Sequence, residues 1–191
     1  METHVEVTLD DVLAARERRV ARQQAALTRW QQPLISLTLV MPGPLKNSPT
    51  ARYLAQVAAD EVLACCARNA WTLLAEERID QVAGPELLYV VVAEAEALKR
   101  ALTGLEEAHP LGRLWDLDVI DPEQGSLSRR TLGLESRRCL LCEQPGHACA
   151  RARTHPLEDL LRVIEQRVDA YRQGRTSTLP SAKRPISSDE E

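Results

Sequence analysis

The chain has 191 residues, a length that fits about one ordinary domain. Hydrophobic residues make up 44% and charged residues 27%, which excludes a wholly disordered chain. Phe is absent and aromatic residues make up only 3%, so the core must be built mainly from aliphatic side chains. The formal net charge of −4 argues against a protein that coats nucleic acid, and we expect no nucleic-acid partner.

Neither a membrane span nor a signal peptide is predicted. The sequence has no apolar run of the roughly 18 residues that a span needs, and its N-terminal residues lack an apolar core. We therefore expect a cytoplasmic protein, in which cysteines are reduced thiols or metal ligands rather than disulfides. Of the five cysteines, three fall between Cys139 and Cys149.

The first predicted element is a helix over residues 9–30. Thr8 and Asp11 have the spacing of a capping box, and neither Gly nor Pro interrupts the segment. Five arginines in this helix outnumber its three acids. This imbalance predicts either a solvated face or a surface that meets phosphates or an acidic protein partner such as a carrier protein.

Periodicity and the Gly and Pro breaks predict the other elements. The strands are expected over 34–41, 87–92 and 112–120, with 71–82 extended and 126–132 returning as a hairpin partner, and the helices over 51–69, 94–108 and 156–171. This order predicts an α+β fold in a single domain over 8–172, with a mixed sheet flanked by helices, a Cys-rich knuckle and a C-terminal helix. Residues 175–191 are rich in Ser, Thr, Pro and charge, which predicts a disordered tail.

Two carboxylates alternate along the predicted strand at 112–120. Asp116 and Asp118 should lie on one face of the strand, while Trp115, Leu117 and Val119 lie on the other. Paired carboxylate oxygens suit Mg²⁺, which can hold a substrate polyphosphate. The alternative is that both acids belong to an ordinary wet face.

A turn follows the first predicted strand and carries one cation. The segment Pro42-Gly43-Pro44-Leu45-Lys46-Asn47-Ser48 lies between a strand and a helix, where backbone N–H groups and Lys46 would meet a phosphate. Its glycine count and spacing do not match a P-loop. A purely structural turn is the alternative.

The cysteine cluster has the spacing of a metal site. Cys139, Cys142, Cys149 and His155 would give zinc three thiolates and one imidazole, a closed set typical of a structural site. Ordinary thiols or a redox pair are the alternatives. The surrounding sequence is basic enough to hold an anion, since it contains Arg129, Arg130, Arg137, Arg138, Arg151 and Arg153.

Several strings resemble one known family. They are His-Pro-Leu-Gly-Arg-Leu-Trp-Asp-Leu-Asp-Val at 109–119, Leu-Ser-Arg-Arg at 127–130, Arg-Arg-Cys-Leu-Leu-Cys-Glu-Gln at 137–144 and Cys-Ala-Arg at 149–151. Residues 19–23 and 33–48 add to the likeness. Together they resemble the holo-citrate lyase synthases, the apo-citrate lyase phosphoribosyl-dephospho-CoA transferase family, over about residues 8–172.

The resemblance implies a reaction and a set of site residues. Such an enzyme joins the phosphoribosyl group of 2′-(5″-triphosphoribosyl)-3′-dephospho-CoA to a serine of the acyl carrier (gamma) subunit of citrate lyase and releases diphosphate. It implies a nucleotidyltransferase-like fold, with Asp116 and Asp118 as catalytic ligands of Mg²⁺. Phosphate contacts are expected from Lys46, Arg113, Arg129, Arg130 and Arg138.

The sequence departs from the polymerase-β type of nucleotidyltransferase in one respect. No Gly-Ser pair precedes the two acids, since Gly112-Arg113 lies there instead, and a third carboxylate is not assigned. The alternative function is a non-catalytic zinc-knuckle module that binds through its arginine cluster.

Overall fold

Helices and strands alternate along the chain in a computed structural model that describes residues 6–174. The helices are α1 (Leu9–Trp30), α2 (Pro49–Arg68), α3 (Ala95–Ala108), α4 (Gly146–Ala152) and α5 (Leu157–Arg172). The strands are β1 (Leu34–Leu39), β2 (Thr72–Ile79), β3 (Glu86–Val92), β4 (Trp115–Asp121) and β5 (Gly125–Leu127), and a 3₁₀ turn over Gly112–Leu114 leads into β4. The predicted α+β class is confirmed. The tail predicted at 175–191 lies outside the described residues.

Two compact units make up the chain. Among the described residues, the first unit ends at Glu135 and the second begins at Ser136. All five strands and helices α1 to α3 belong to the first unit, whereas the Cys-rich segment, α4 and α5 belong to the second. The single domain expected over 8–172 stays a prediction.

The five strands form one antiparallel sheet with the order β2-β3-β1-β4-β5. The predicted mixed sheet is therefore wrong. Helix α2 connects β1 to β2 and helix α3 connects β3 to β4, and each helix joins two strands that run in the same direction. In both cases an antiparallel strand lies between the two, so no parallel pair forms. The order β1-α2-β2-β3-α3-β4 is that of the split β-α-β pattern. The nucleotidyltransferase-like assignment stays a prediction.

The two faces of the sheet are covered by different helices. On one face, Leu34, Leu88 and Val90 pack against Leu27 of α1. The opposite face packs against α2 and α3, and its buried residues include Ile35, Leu37, Tyr89, Leu117 and Val119. Asp116 and Asp118 alternate with the buried residues of β4 and therefore belong to the face that α1 covers.

Local signals in the sequence account for the positions of the helix ends. The Thr8 hydroxyl accepts from the Asp11 N–H, and the Asp11 carboxylate accepts from the Thr8 N–H, which completes the predicted capping box. The Ser48 hydroxyl accepts from the Ala51 N–H at the start of α2, and Pro49 occupies the first turn of this helix. Among the described residues, no helix is both long enough and apolar enough to cross a membrane.

Candidate active site and candidate metal centre

The two predicted catalytic carboxylates lie on β4, an inner strand of the sheet. Thr38 on β1 is paired with Asp116, and Ser36 is paired with Asp118, so these four side chains share one face. The Ser36 hydroxyl accepts a hydrogen bond of 2.9 Å from the Gln23 side chain of α1. The alternation predicted from the sequence is confirmed, and it places both acids on the sheet face that α1 covers in part.

The pKa of Asp118 is shifted by its surroundings. Desolvation by the surrounding protein, followed by the neighbouring Asp116 carboxylate, raises the pKa of Asp118. Lys99 Nζ lies 3.7 Å from the Asp118 carboxylate and opposes this shift. The Asp118 side chain is nevertheless 52% exposed, so it can be reached from solvent. A cation placed between the two acids would relieve their repulsion, and carboxylate oxygens are the donors that Mg²⁺ prefers.

Side chains of α3 hold the backbone of β4 between the two acids. The Val40 N–H donates to the Leu114 carbonyl, and hydrogen-bonded pairs alternate with non-hydrogen-bonded pairs along the antiparallel strands β1 and β4. Leu117 therefore belongs to a non-hydrogen-bonded pair, and its backbone N–H and carbonyl point away from β1. Glu106 accepts from the Leu117 N–H at 2.9 Å, and Lys99 Nζ donates to the Leu117 carbonyl at 2.8 Å. These two side chains replace strand β5, whose pairing begins at Val119.

A pocket of about 220 Å³ lies beside Asp116. Its charged and polar lining is Arg16 and Arg19 from α1, Thr38 from β1, Lys46 from the following loop, Glu86 from β3 and Asp116 from β4. The pocket therefore brings together Lys46 and Asp116, two residues that the sequence singled out separately. It also adds two arginines to which the sequence gave no role in the site.

The basic face of α1 makes contacts within the protein. Arg18 donates to the Gln81 side chain at 3.1 Å. Arg19 and Arg22 both contact the Glu86 carboxylate, at 3.2 and 2.5 Å, and the Glu86 side chain is only 7% exposed. Arg19 and Arg22 are therefore engaged with a buried carboxylate, whereas the exposed Arg18 side chain agrees with the predicted solvated face. No local sequence signal links Arg19 or Arg22 to Glu86, which lies on another element of the fold.

The turn between β2 and β3 fixes the loop that carries Lys46. Asn47 donates to the Asp80 carboxylate at 2.6 Å and to the Gln81 carbonyl at 3.0 Å. Gly84 has a φ of +105°, and a Cβ there would lie 3.2 Å from the Lys46 carbonyl oxygen. Glycine is needed at this position because both the backbone conformation and the close approach exclude a side chain.

Lys46 itself lies in a cationic surrounding. Its ammonium group donates to the Met41 carbonyl. Burial first, and then the charge of Arg16, lower the pKa of Lys46. The predicted turn is confirmed as a fixed loop with Lys46 at the pocket wall, and an anion in the pocket would offset the repulsion between the two cations.

The other predicted phosphate ligands are placed in different surroundings. Arg113 is half-buried in the 3₁₀ turn before β4, and Arg130 is exposed after β5. Arg129 is held by Glu106 at 2.5 Å and by Glu107 at 2.6 Å. Arg138 belongs to the second unit, where it pairs with Glu143 at 2.5 Å. Only Lys46 of the five predicted phosphate ligands lines the pocket.

The four predicted zinc ligands come together within the second unit. One donor atom from each of Cys139, Cys142, Cys149 and His155 lies within 4.8 Å of every other. The Cys142 and Cys149 sulfurs are 3.5 Å apart, and His155 Nε2 is 3.3 Å from the Cys142 sulfur. A tetrahedral zinc ion with Zn–S bonds of about 2.3 Å separates its sulfur ligands by about 3.8 Å, so the donor set fits that geometry.

Local backbone structure explains how the four side chains meet. Cys139 N–H donates to the Gln144 carbonyl at 2.7 Å, which closes a tight knuckle around Cys142. Cys149 lies on α4, a short helix that the sequence analysis missed because seven residues show little periodicity. Arg153 ends α4 in the left-handed conformation, and His155 follows two residues later.

The pKa values of Cys139 and Cys149 are shifted in opposite directions. Burial of the Cys139 thiol opposes its ionisation, but hydrogen bonds from the backbone of Leu141 and Cys142 outweigh burial and lower its pKa. Burial and the neighbouring thiols raise the pKa of Cys149 to about 11. Crowded thiols of this kind lose their protons most readily to a bound metal ion.

Two carboxylates on an inner strand lie beside a pocket lined by three cations, an arrangement typical of the class of enzymes that handle phosphate groups. Comparison with known proteins narrows this class. The sequence model of the family described as apo-citrate lyase phosphoribosyl-dephospho-CoA transferase matches residues 7–171. The chain belongs to this family, as the resemblance predicted.

Individual relatives agree with the family match. A protein named apo-citrate lyase phosphoribosyl-dephospho-CoA transferase from Escherichia coli O6:K15:H31 is 43% identical over 163 residues, which covers 85% of this chain and 89% of the relative. A protein of the same name from Citrobacter koseri is 44% identical over 159 residues, covering 83% of this chain and 87% of the relative. These names support a transferase that acts on apo-citrate lyase.

Proposed function

We propose that this chain transfers the phosphoribosyl-dephospho-CoA group from 2′-(5″-triphosphoribosyl)-3′-dephospho-CoA to a serine of the acyl carrier (gamma) subunit of citrate lyase. The observation that carries the proposal is the pocket in which Lys46 and Asp116 lie together, in a chain that belongs to a family of such transferases. The relatives are named as acting on apo-citrate lyase, and the carrier subunit and its serine are the finer step that we add.

The proposed step is a displacement at phosphorus. The serine oxygen attacks the phosphorus next to the ribose and forms a new P–O bond. The bond from that phosphorus to the oxygen bridging to the next phosphate breaks, and diphosphate leaves with the electron pair. The serine proton passes to solvent. One phosphodiester and one diphosphate are formed, which places the chain in the nucleotidyltransferase class.

Each group at the site has a role in this step. Asp116 and Asp118 would hold Mg²⁺, which offsets negative charge on the leaving diphosphate. The pairing of both acids with β1 supports this assignment, because it places the two carboxylates on one face of the sheet, two residues apart. Lys46 would contact phosphate oxygens from the opposite wall of the pocket.

The other predicted features remain part of the proposal. Arg113 and Arg130 are retained as phosphate ligands for parts of the substrate outside the pocket, and Arg129 would have to exchange its glutamate partners to join them. Arg138, which pairs with Glu143 in the second unit, stays a predicted phosphate ligand. The nucleotidyltransferase-like fold is supported by the position of the acid pair on an inner strand. A cytoplasmic location also remains part of the proposal.

We also propose that the cysteine cluster holds a structural zinc ion. A closed set of four protein ligands leaves no position for substrate, so the metal would stabilise the knuckle without entering the reaction. Elemental analysis of protein purified without chelator should give about one zinc per chain. A stoichiometry near zero in reduced protein would reject the zinc site and leave the transferase proposal intact.

The transferase proposal is tested by mass spectrometry of the carrier subunit. Apo carrier incubated with the protein, the triphosphoribosyl donor and Mg²⁺ should gain the mass of the prosthetic group. Asp116→Asn should abolish the gain, whereas Glu123→Gln, an exposed acid in the turn after β4, should not affect it. No mass gain with the wild-type protein would overturn the proposal, and full transfer by Asp116→Asn would overturn the role of Asp116.

A further inference from the structure

The pocket beside Asp116 is built for a small anion. Three cationic side chains line it against two carboxylates, and they come from two separate parts of the chain, Arg16 and Arg19 on α1 and Lys46 on the loop after β1. Its volume of about 220 Å³ is below the 300–1,000 Å³ of typical sites for drug-sized ligands. A fragment the size of a diphosphate fits this space better than a whole coenzyme derivative.

Glu86 fixes the arginine side of the pocket. Its carboxylate contacts Arg19 through Nε at 3.2 Å and Arg22 through Nη2 at 2.5 Å, and only 7% of its side chain is exposed. The guanidinium fork of an arginine binds phosphate oxygens in pairs, so a carboxylate that contacts Arg19 at Nε can orient this fork.

The charges of the pocket are unbalanced once this ion pair is counted. Glu86 pairs with both Arg19 and Arg22, and Asp116 is assigned to the metal ion. No other carboxylate in the described pocket lining is left to pair with Arg16 and Lys46. The lowered pKa of Lys46, which burial and Arg16 cause, reflects the same arrangement. An anion between the two cations would remove this repulsion.

We infer that Arg16, Arg19 and Lys46 form the subsite for the terminal diphosphate of the donor, the part that leaves. Glu86 is the positioning residue of this subsite, because its carboxylate contacts both Arg19 and Arg22 and so fixes the Arg19 side chain at the wall of the pocket. The inference rests on the proposed function for the identity of the donor. The diphosphate lies in the pocket, and the reacting phosphorus lies next to Asp116.

Inorganic diphosphate is the probe for this subsite. Titration calorimetry in the presence of Mg²⁺ should show binding to the wild-type protein. Arg16→Ala and Arg19→Ala should each weaken it by about tenfold or more, since each removes a charge-assisted contact. Arg29→Ala is the matched control on the same helix, since Arg29 lies over the Trp30 ring in its last turn, and it should bind diphosphate as the wild type does.

A separate variant tests the positioning role of Glu86. Glu86→Gln removes a negative charge from the pocket, so an effect through charge alone would tighten diphosphate binding. If Glu86 instead orients Arg19, the substitution should weaken diphosphate binding. We expect this weaker binding, measured at a temperature where the variant is fully folded. Tighter or unchanged binding by Glu86→Gln would overturn the positioning role, even if its melting temperature falls.

The two proposals fail in different ways. If the wild-type protein binds diphosphate through Arg16 and Arg19 but transfers nothing to the carrier, the proposed function is wrong and the anion subsite stands. If the wild-type protein transfers the group, and Arg16→Ala and Arg19→Ala both bind diphosphate with wild-type affinity, the subsite is overturned and the proposed function stands.

Discussion

Glu106 and Glu107 offer a matched pair of substitutions, because both carboxylates contact the same guanidinium. Arg129 lies 2.5 Å from Glu106 and 2.6 Å from Glu107. The Glu106 side chain is 5% exposed and also accepts from the Leu117 N–H, whereas the Glu107 side chain is 58% exposed. We therefore predict that Glu106→Gln destabilises the fold and that Glu107→Gln has little effect.

The expected magnitude follows from what each amide can still do. Gln at position 106 keeps an oxygen for the Leu117 N–H but turns an NH₂ group towards Arg129, so two donors face each other. Breaking a buried ion pair costs about 3–5 kcal/mol, and the surviving contact from Glu107 reduces this to about 2–3 kcal/mol. For Glu107→Gln the loss is that of an exposed ion pair, about 0–1 kcal/mol.

Thermal and denaturant unfolding measure this difference. For a chain of this size, about 2–3 kcal/mol corresponds to a fall in melting temperature of about 4–12 °C. The two variants should have the same denaturant m-value as the wild type, so that the midpoints report stability alone. Equal destabilisation by the two substitutions, or none by Glu106→Gln, would refute the assignment of Glu106 as the buried support of β4.

Three further predictions follow from single contacts. Gly112→Ala should lower the free energy of unfolding by about 1–3 kcal/mol, because its Cβ would lie 2.5 Å from the Glu106 carbonyl oxygen, while Gly104→Ala, with no atom within 4 Å, should raise it by about 0.5–1 kcal/mol in the same unfolding assay. In chelator, Asp118→Asn should be more stable than the wild type at neutral pH. Because the pKa of Asp118 is raised in the folded protein, ionisation of its carboxyl group lowers the free energy of unfolding once the pH exceeds the ordinary pKa of 3.8. The difference in stability between variant and wild type, measured by unfolding, should therefore shrink in acid. Cys142→Ala should abolish zinc binding in a metal-release assay, whereas Cys66→Ala should leave the zinc content unchanged, because Cys66 is buried in α2 outside the cluster.

Short-range patterns in the sequence predicted the elements well. The capping box at Thr8 and the absence of Gly and Pro predicted both ends of α1, and the alternation along β4 predicted the shared face of Asp116 and Asp118. The spacing of the cysteines with His155 predicted the juxtaposition of four ligands. These signals are readable because each depends on residues that are neighbours in the chain.

Long-range pairing accounts for what the sequence did not predict. Alternation shows which face of a strand is buried but not which strand lies beside it, so the insertion of β1 between β3 and β4 could not be read and the sheet was predicted as mixed. Likewise, nothing near Arg19 in the sequence points to Glu86, which lies 67 positions further along the chain. The sequence alone therefore cannot show whether the arginines of α1 face solvent or pair with another part of the protein.

The hydrogen bonds to Leu117 explain how β4 stays extended at the two acids, although β5 does not reach that part of the strand. Strand β5 pairs with β4 only from Val119 onwards, so the backbone between Asp116 and Asp118 would present an unpaired N–H and carbonyl at that edge. Glu106 and Lys99 bond both groups from α3, which keeps the segment extended without a strand beside it. An extended backbone is what places the two carboxylates on one face, two residues apart. The geometry of the acid pair therefore depends on charged side chains of α3 that lie outside the pocket lining.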